Sequence, residues 1–125
     1  MKYERSFRKL IAWQEAKKLA LMVYELTKKF PPDEKYGMTS QLRRASSSIM
    51  ANIAEGNERR TRRDCLNFFC IAKSSHAETD AFSELAYELK YLTDEEYKKL
   101  LELINKTGFL LAKLIAALEE SRSFS

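Results

Sequence analysis

Glycine and proline are scarce in this chain. Three glycines and two prolines in 125 residues leave too few tight turns for a β-sandwich or barrel. There is one histidine, His76, which excludes a histidine-rich site or a zinc finger, and no metal is expected. The only cysteines, Cys65 and Cys70, share one predicted helix but point in different directions. With no CxxC they read as two small hydrophobes, not a redox pair. No long hydrophobic run is present. The longest apolar tract, GFLLAKLIAAL, is broken by Lys113 and is too short to span a bilayer. The opening MKYERSFRKL has no apolar core like that of a signal peptide. The expectation is a soluble, cytoplasmic chain with no membrane partner.

Chemistry is equally sparse. There is no glycine-rich phosphate loop and no G-x-S-x-G. His76 with Glu78 and Asp80 can be drawn as an acid–base group, but a single histidine on a long helix is more often a surface or interface residue. The arginine-then-histidine spacing of some helical-bundle ribonucleases is absent, since Phe69, Cys70, Ile71 and Ala72 precede His76. The expectation is a non-enzymatic protein without a cofactor.

What the chain does have is helical pattern. Hydrophobic residues make up 45% and charged residues 32%, enough for one core under a charged helical surface. Residues 1–125 read as a single domain, with 1–9 and 120–125 expected to fray. Trp13, Ala16, Ala20, Val23, Thr27 and Phe30 form one stripe of a first helix over 10–29, beside Ala12, Leu19, Met22 and Leu26. Pro31 and Pro32 end it. A second helix runs from about 38 to 58 along Met38, Leu42, Ala45, Ile49 and Ile53. A third starts after Thr61 as N-cap and ends near Leu92. Its seam is Cys65, Phe68, Ala72, Ser75, Thr79, Phe82, Ala86 and Leu89, widened by Phe69 and Ile71. A fourth begins at the capping box Thr93–Glu96 and follows Tyr97, Leu101, Ile104, Gly108, Leu111, Ile115 and Leu118. Short connections make neighbours antiparallel, so the fold class is an all-α, up-down-up-down four-helix bundle. Trp13, Val23, Ile49, Phe68, Phe82, Ile104 and Leu111 are expected to be buried.

The second helix is unusual. QLRRASSSIMANIAEGNERRTRR, from Gln41 to Arg63, carries six arginines and spends further positions on serine and asparagine, mediocre helix formers, over a thin apolar line. Gln41, Arg44, Ser48 and Glu55 share a face with Ala51, and Asn52 lies beside it. Folding helices two and three back at Arg60–Thr61 brings Arg44 near Glu78 and Ser48 near Ala72 or Ser75. The serines and small residues predict a closely packed polar surface, suited to meeting another subunit. Leu21, Tyr24 and Phe109 fall outside the stripes and are further contact candidates.

The turn itself, ERRTRRD, carries Arg59, Arg60, Arg62 and Arg63 against Glu58 and Asp64. Arginine pairs bidentately with phosphate and a helix start adds donors, so these four are the candidate nucleic-acid-binding residues. The net charge of +4 and the pI of about 9.1 agree with such a partner. No recognised nucleic-acid-binding motif is present. The alternative is a solvated turn on a structural scaffold or accessory protein that serves a protein partner and does not touch nucleic acid.

Several segments resemble a known family. Trp13-Gln14, Tyr24 to Pro31 (Y-x-L-T-x-x-F-P), Glu34 to Gly37 (E-x-Y-G), Gln41 to Ala45 (Q-L-R-R-A) and Ser48 to Gly56 (S-I-x-x-N-I-A-E-G) are similar to the four-helix bundle proteins named for bacterial 23S rRNA intervening sequences. Phe69, Ala72 or Lys73, Ser75 and Glu78 follow its looser later segment. Members often carry a proline where this chain has Met50, so the second helix is expected to be straighter here. The resemblance implies a bundle that assembles into a homo-oligomeric ring of five subunits. The family name records where its genes lie, within segments inserted in large ribosomal RNA, and a ribosomal or RNA-binding role is inferred from that place. A basic, ring-forming accessory protein of diversity-generating retroelements has a similar architecture, which adds DNA or RNA as a partner by analogy of fold.

Overall fold

The computed structural model describes residues 6–122. A 3-10 turn at Phe7–Lys9 leads into α1 (Ile11–Thr27), α2 (Met38–Asn57), α3 (Arg62–Glu88) and α4 (Asp94–Arg122). Among the described residues all regular structure is helical. Contacts run α1–α2, α2–α3, α3–α4 and α4–α1, so each helix packs on two neighbours and the four close a bundle. Its core holds Trp13, Leu19, Val23, Leu42, Ile49, Ile53, Phe69, Leu100, Ile104 and Leu111.

The helix ends follow local chemistry. Thr61 Oγ1 accepts the Asp64 N–H at 3.1 Å and starts α3. Thr93 and Glu96 exchange side-chain-to-backbone bonds of 3.1 and 2.9 Å, the capping box at the head of α4. Glu34 Oε1 accepts the Met38 N–H at 3.0 Å at the head of α2, and Glu34 Oε2 accepts from the Tyr91 hydroxyl at 2.8 Å. α2 runs unbroken past Met50.

Some expectations are corrected. Residues 7–9 do not fray: the Phe7 ring meets Trp13 edge-on at 5.0 Å, and Ser6 caps the turn. Residues 1–5 and 123–125 lie outside the described residues, while α4 continues through Arg122. α3 stops at Glu88, before Leu92, because Lys90 takes a left-handed φ of 66°. Ile71 and Leu89 are exposed. Two residues along a helix is a rotation of about 200°, so Ile71 cannot share the face of the buried Phe69. Phe68 and Phe82 are half-buried rather than buried.

One buried charge joins α1 to α4. The Glu15 side chain is 6% exposed, with Lys18 Nζ at 3.0 Å and Lys106 Nζ at 3.6 Å from its two oxygens. The Lys18 hydrogen bond lowers its pKa below the ordinary 4.5, opposed by burial and helped by Lys106. A carboxylate lowered in the folded state contributes stability that is complete above 4.5 and lost as pH falls through the folded value. Glu15→Gln should therefore be less stable than wild type at neutral pH. The gap in urea midpoint should narrow below pH 4.5; a gap constant down to pH 3 would assign the cost to something other than the ion pair.

Gly56 lets α2 lie close against α3. A Cβ there would sit 2.8 Å from the Phe69 ring and 3.0 Å from the Cys65 carbonyl oxygen. Phe69 is buried and cannot swing away. Gly56→Ala should destabilise the fold by about 1–3 kcal/mol, despite the roughly 1 kcal/mol that alanine gains in a helix. Chemical denaturation reads this directly, and a variant as stable as wild type would mean the two helices can separate without penalty.

Candidate nucleic-acid interface

The α2–α3 turn is built from its caps. The Glu58 N–H returns to the Glu55 carbonyl at 3.2 Å and the Arg59 N–H to that of Gly56 at 3.1 Å, closing α2. Thr61 then opens α3, so Arg62 and Arg63 occupy its first two positions. Arg60 and Arg63 are exposed, and Arg62 is half-buried. Arg59 is engaged twice. Its guanidinium lies 4.4 Å above the Phe68 ring centre and 3.2 Å from Glu55 Oε2. Arg59 and Arg60 thus sit on the connection and Arg62 and Arg63 at the head of α3, with Glu55, Glu58 and Asp64 as the nearby acids in sequence.

The polar stripe resolves into three short sets. Arg44 Nη2 donates to Glu78 Oε2 at 2.7 Å and to Gln41 Oε1 at 3.1 Å. Asn52 Nδ2 donates to Ser48 Oγ at 3.0 Å, and the Ser75 hydroxyl donates to the same oxygen at 2.9 Å across the α2–α3 seam. Glu55 belongs with Arg59. The other serines turn inward on their own helix: Ser46 and Ser47 donate to the Arg43 carbonyl at 3.2 and 2.8 Å. Gln41, Arg44 and Glu55 are exposed.

His76 does something the sequence did not announce. Its Nε2 lies 2.8 Å from the Ile104 carbonyl oxygen. A carbonyl only accepts, so this nitrogen carries the proton. A Cβ on Gly108 would sit 2.6 Å from the ring, so the glycine makes room for the histidine. The pair pins α3 to α4 beside a groove of about 450 Å³ that includes Lys73, Asn105, Phe109 and Ile115. The signal available in the sequence was a helix-interior glycine, a position that costs about 1 kcal/mol against alanine. Among the described residues, no group of three or more His, Cys, Asp or Glu side chains is placed to hold a metal ion. No described helix is long and apolar enough to cross a membrane. Leu21 and Phe109 are more than half exposed at 61% and 63%, and Tyr24 is 44% exposed.

Comparison with known proteins gives two matches of use. The family model of the 23S rRNA-intervening sequence protein matches residues 8–113. Among solved structures, a protein of unknown function from the S23 ribosomal protein family of Bacteroides thetaiotaomicron is similar, with a TM-score of 0.75 and 25% identity. The match covers 84% of this chain and 98% of that one. No curated protein matches.

The Arg44–Glu78 pair is exposed on both sides, 51% and 42% at the side chains, so its coupling should be small, about 0.2–1 kcal/mol. Exchanging the two residues, Arg44→Glu with Glu78→Arg, should recover stability that each single change loses. A double-mutant cycle in denaturant measures the coupling, and a value of zero would reduce the contact to a crossing of two solvated side chains.

Proposed function

Since the chain belongs to the 23S rRNA-intervening sequence protein family, we propose that it is a non-enzymatic, oligomeric helical-bundle protein of the cytoplasm that holds an RNA or DNA phosphate backbone on its arginine turn. One observation carries the reading. Arg62 and Arg63 open α3, at the end of a helix where the backbone dipole is positive. Cations there cost about 0.3–1 kcal/mol each, whereas an anion is stabilised. The first turn of α3 is thus composed against the dipole and suited to phosphate, which would meet arginine forks and a helix N-terminus together. The family name, tied to 23S rRNA, supports ribosomal RNA as one such partner.

The assembly belongs to the same reading. A homo-oligomer of five subunits is the proposed form. The exposed Leu21, Tyr24 and Phe109, together with Ile71 and Leu85 on α3 and Leu89 just after it, support it as apolar surface available to a second copy. The same side chains favour a second reading, a scaffold whose partner is a protein.

Two measurements test these readings. Light scattering at micromolar protein should give a mass several times that of one chain; a monomer mass removes the ring. Binding to single-stranded RNA and to duplex DNA should weaken steeply with salt, with a slope of roughly −0.7 or −0.9 per phosphate neutralised. Replacing Arg59, Arg60, Arg62 and Arg63 by alanine should flatten that slope and weaken all sequences alike. If the variant keeps its mass, its helical spectrum and the wild-type slope, the turn is not the site. If wild type binds neither polymer at low salt, the scaffold reading replaces this one.

A further inference from the structure

We infer that the nucleic-acid surface has a second half, the 3-10 turn ahead of α1, and that Arg8 is its main phosphate ligand. The inference rests on the proposed nucleic-acid reading and extends it to an element far from the arginine turn in sequence. α2 ends at the pole of the bundle where α1 begins, and the Phe7–Lys9 turn packs on both helices. Arg8 and Lys9, both exposed, therefore lie at the same pole as Arg59, Arg60, Arg62 and Arg63. Together they set six cations against Glu55, Glu58 and Asp64, while α4 brings Lys113, Glu119 and Glu120 towards the same end.

Arg8 is held as Arg59 is held. Its guanidinium lies 4.6 Å above the Phe7 ring centre, and Nη1 donates to Ser6 Oγ at 3.3 Å. The Phe7 ring is itself fixed on the buried Trp13, and the Arg8 carbonyl accepts from Gln14 Nε2 at 2.8 Å. Arg59 rests on Phe68 and Glu55. Each guanidinium thus lies over an aromatic ring that belongs to the bundle. Stacking leaves the edge of the guanidinium plane, with most of its N–H donors, open to a phosphate. It also removes much of the rotamer freedom that a surface arginine would lose on binding. Two stacked forks on different elements suit a phosphodiester backbone that crosses the pole. The chemistry recognises phosphate and not base, so the ligand is a nucleic-acid strand of any sequence.

The test uses the full chain and fluorescence anisotropy over a salt series. The probes are a labelled single-stranded RNA of mixed sequence and a labelled duplex DNA, which tell the two polymers apart. Arg8→Ala should reduce the salt slope by roughly 0.7 on the single strand or 0.9 on the duplex for the one phosphate lost. Arg8→Lys keeps the charge but not the planar fork, so it should keep the slope and bind several-fold more weakly. It also carries the test if the alanine variant loses its helical spectrum. If both variants match wild type while the four-arginine variant loses binding, the arginine turn acts alone and this inference falls, with the proposed function intact. If Arg8→Lys matches wild type and Arg8→Ala does not, charge alone acts and the stacked fork is wrong. If wild type binds neither probe, the proposed function and this inference fall together.

Discussion

The contact between Gly56 and Phe69 governs the rest of the bundle. Where α2 lacks a side chain, the Phe69 ring lies against its backbone, at a spacing that a single methyl group would violate. That contact fixes how far α3 stands from α2 just before the chain turns. It also fixes register, because two antiparallel helices joined by a short turn have little room to slide. Ser48 then meets Ser75, and one further step along Arg44 meets Glu78. The polar composition of α2 makes sense in this light. Ser46 is fully buried and Ser47 half-buried, and both hydroxyls return to the Arg43 carbonyl. A serine that satisfies itself on the preceding turn is a small residue for packing purposes, so a polar sequence need not mean a solvated face.

The two ends of the bundle treat charge differently. At the start of α4 the chain follows the helix dipole: Asp94, Glu95 and Glu96 fill the first turn, and Glu96 also pairs with Lys29 of the α1–α2 connection. At the start of α2 the carboxylate of Glu34 takes the same part through the Met38 N–H, which lowers its pKa. At the start of α3 the rule is half broken, with Asp64 in place but Arg62 and Arg63 ahead of it. One chain that obeys a local preference at one pole and opposes it at the other invites a functional account of the second.

How much was legible follows from how far each signal reaches along the chain. The stripes of α1, α2 and α4 repeat over several turns and identify buried faces without tertiary knowledge. The Thr61 and Thr93 caps are three-residue patterns and equally readable. Even Arg44 with Glu78 was accessible, since a short turn makes equidistance a workable rule. The failures are different in kind. The Phe7–Lys9 turn is too short to show a period, and its order comes from Trp13, on another element. α3 ends at a left-handed Lys90, where the readable signal would have been glycine. Glu15 looks like any surface acid in sequence. Its partner Lys106 is brought near only by the packing of α1 on α4. His76 was legible as a lone histidine, but its role is set by a carbonyl and a glycine on α4.

The segments that resemble the family are, on inspection of their contacts, mostly structural. Glu34 of the E-x-Y-G segment caps α2 and accepts from Tyr91. Gln41 and Arg44 of Q-L-R-R-A tie α2 to Glu78. Asn52 and Gly56 of N-I-A-E-G serve the α2–α3 seam. The tighter segments of the resemblance end at Gly56, and the family model runs on through the arginine turn to residue 113. Those segments therefore account for how the helices of this bundle are capped and joined. Fold and proposed function thus draw on different residues of one matched region: the fold on the quoted segments and the core stripes, the proposal on the arginines around the α2–α3 turn.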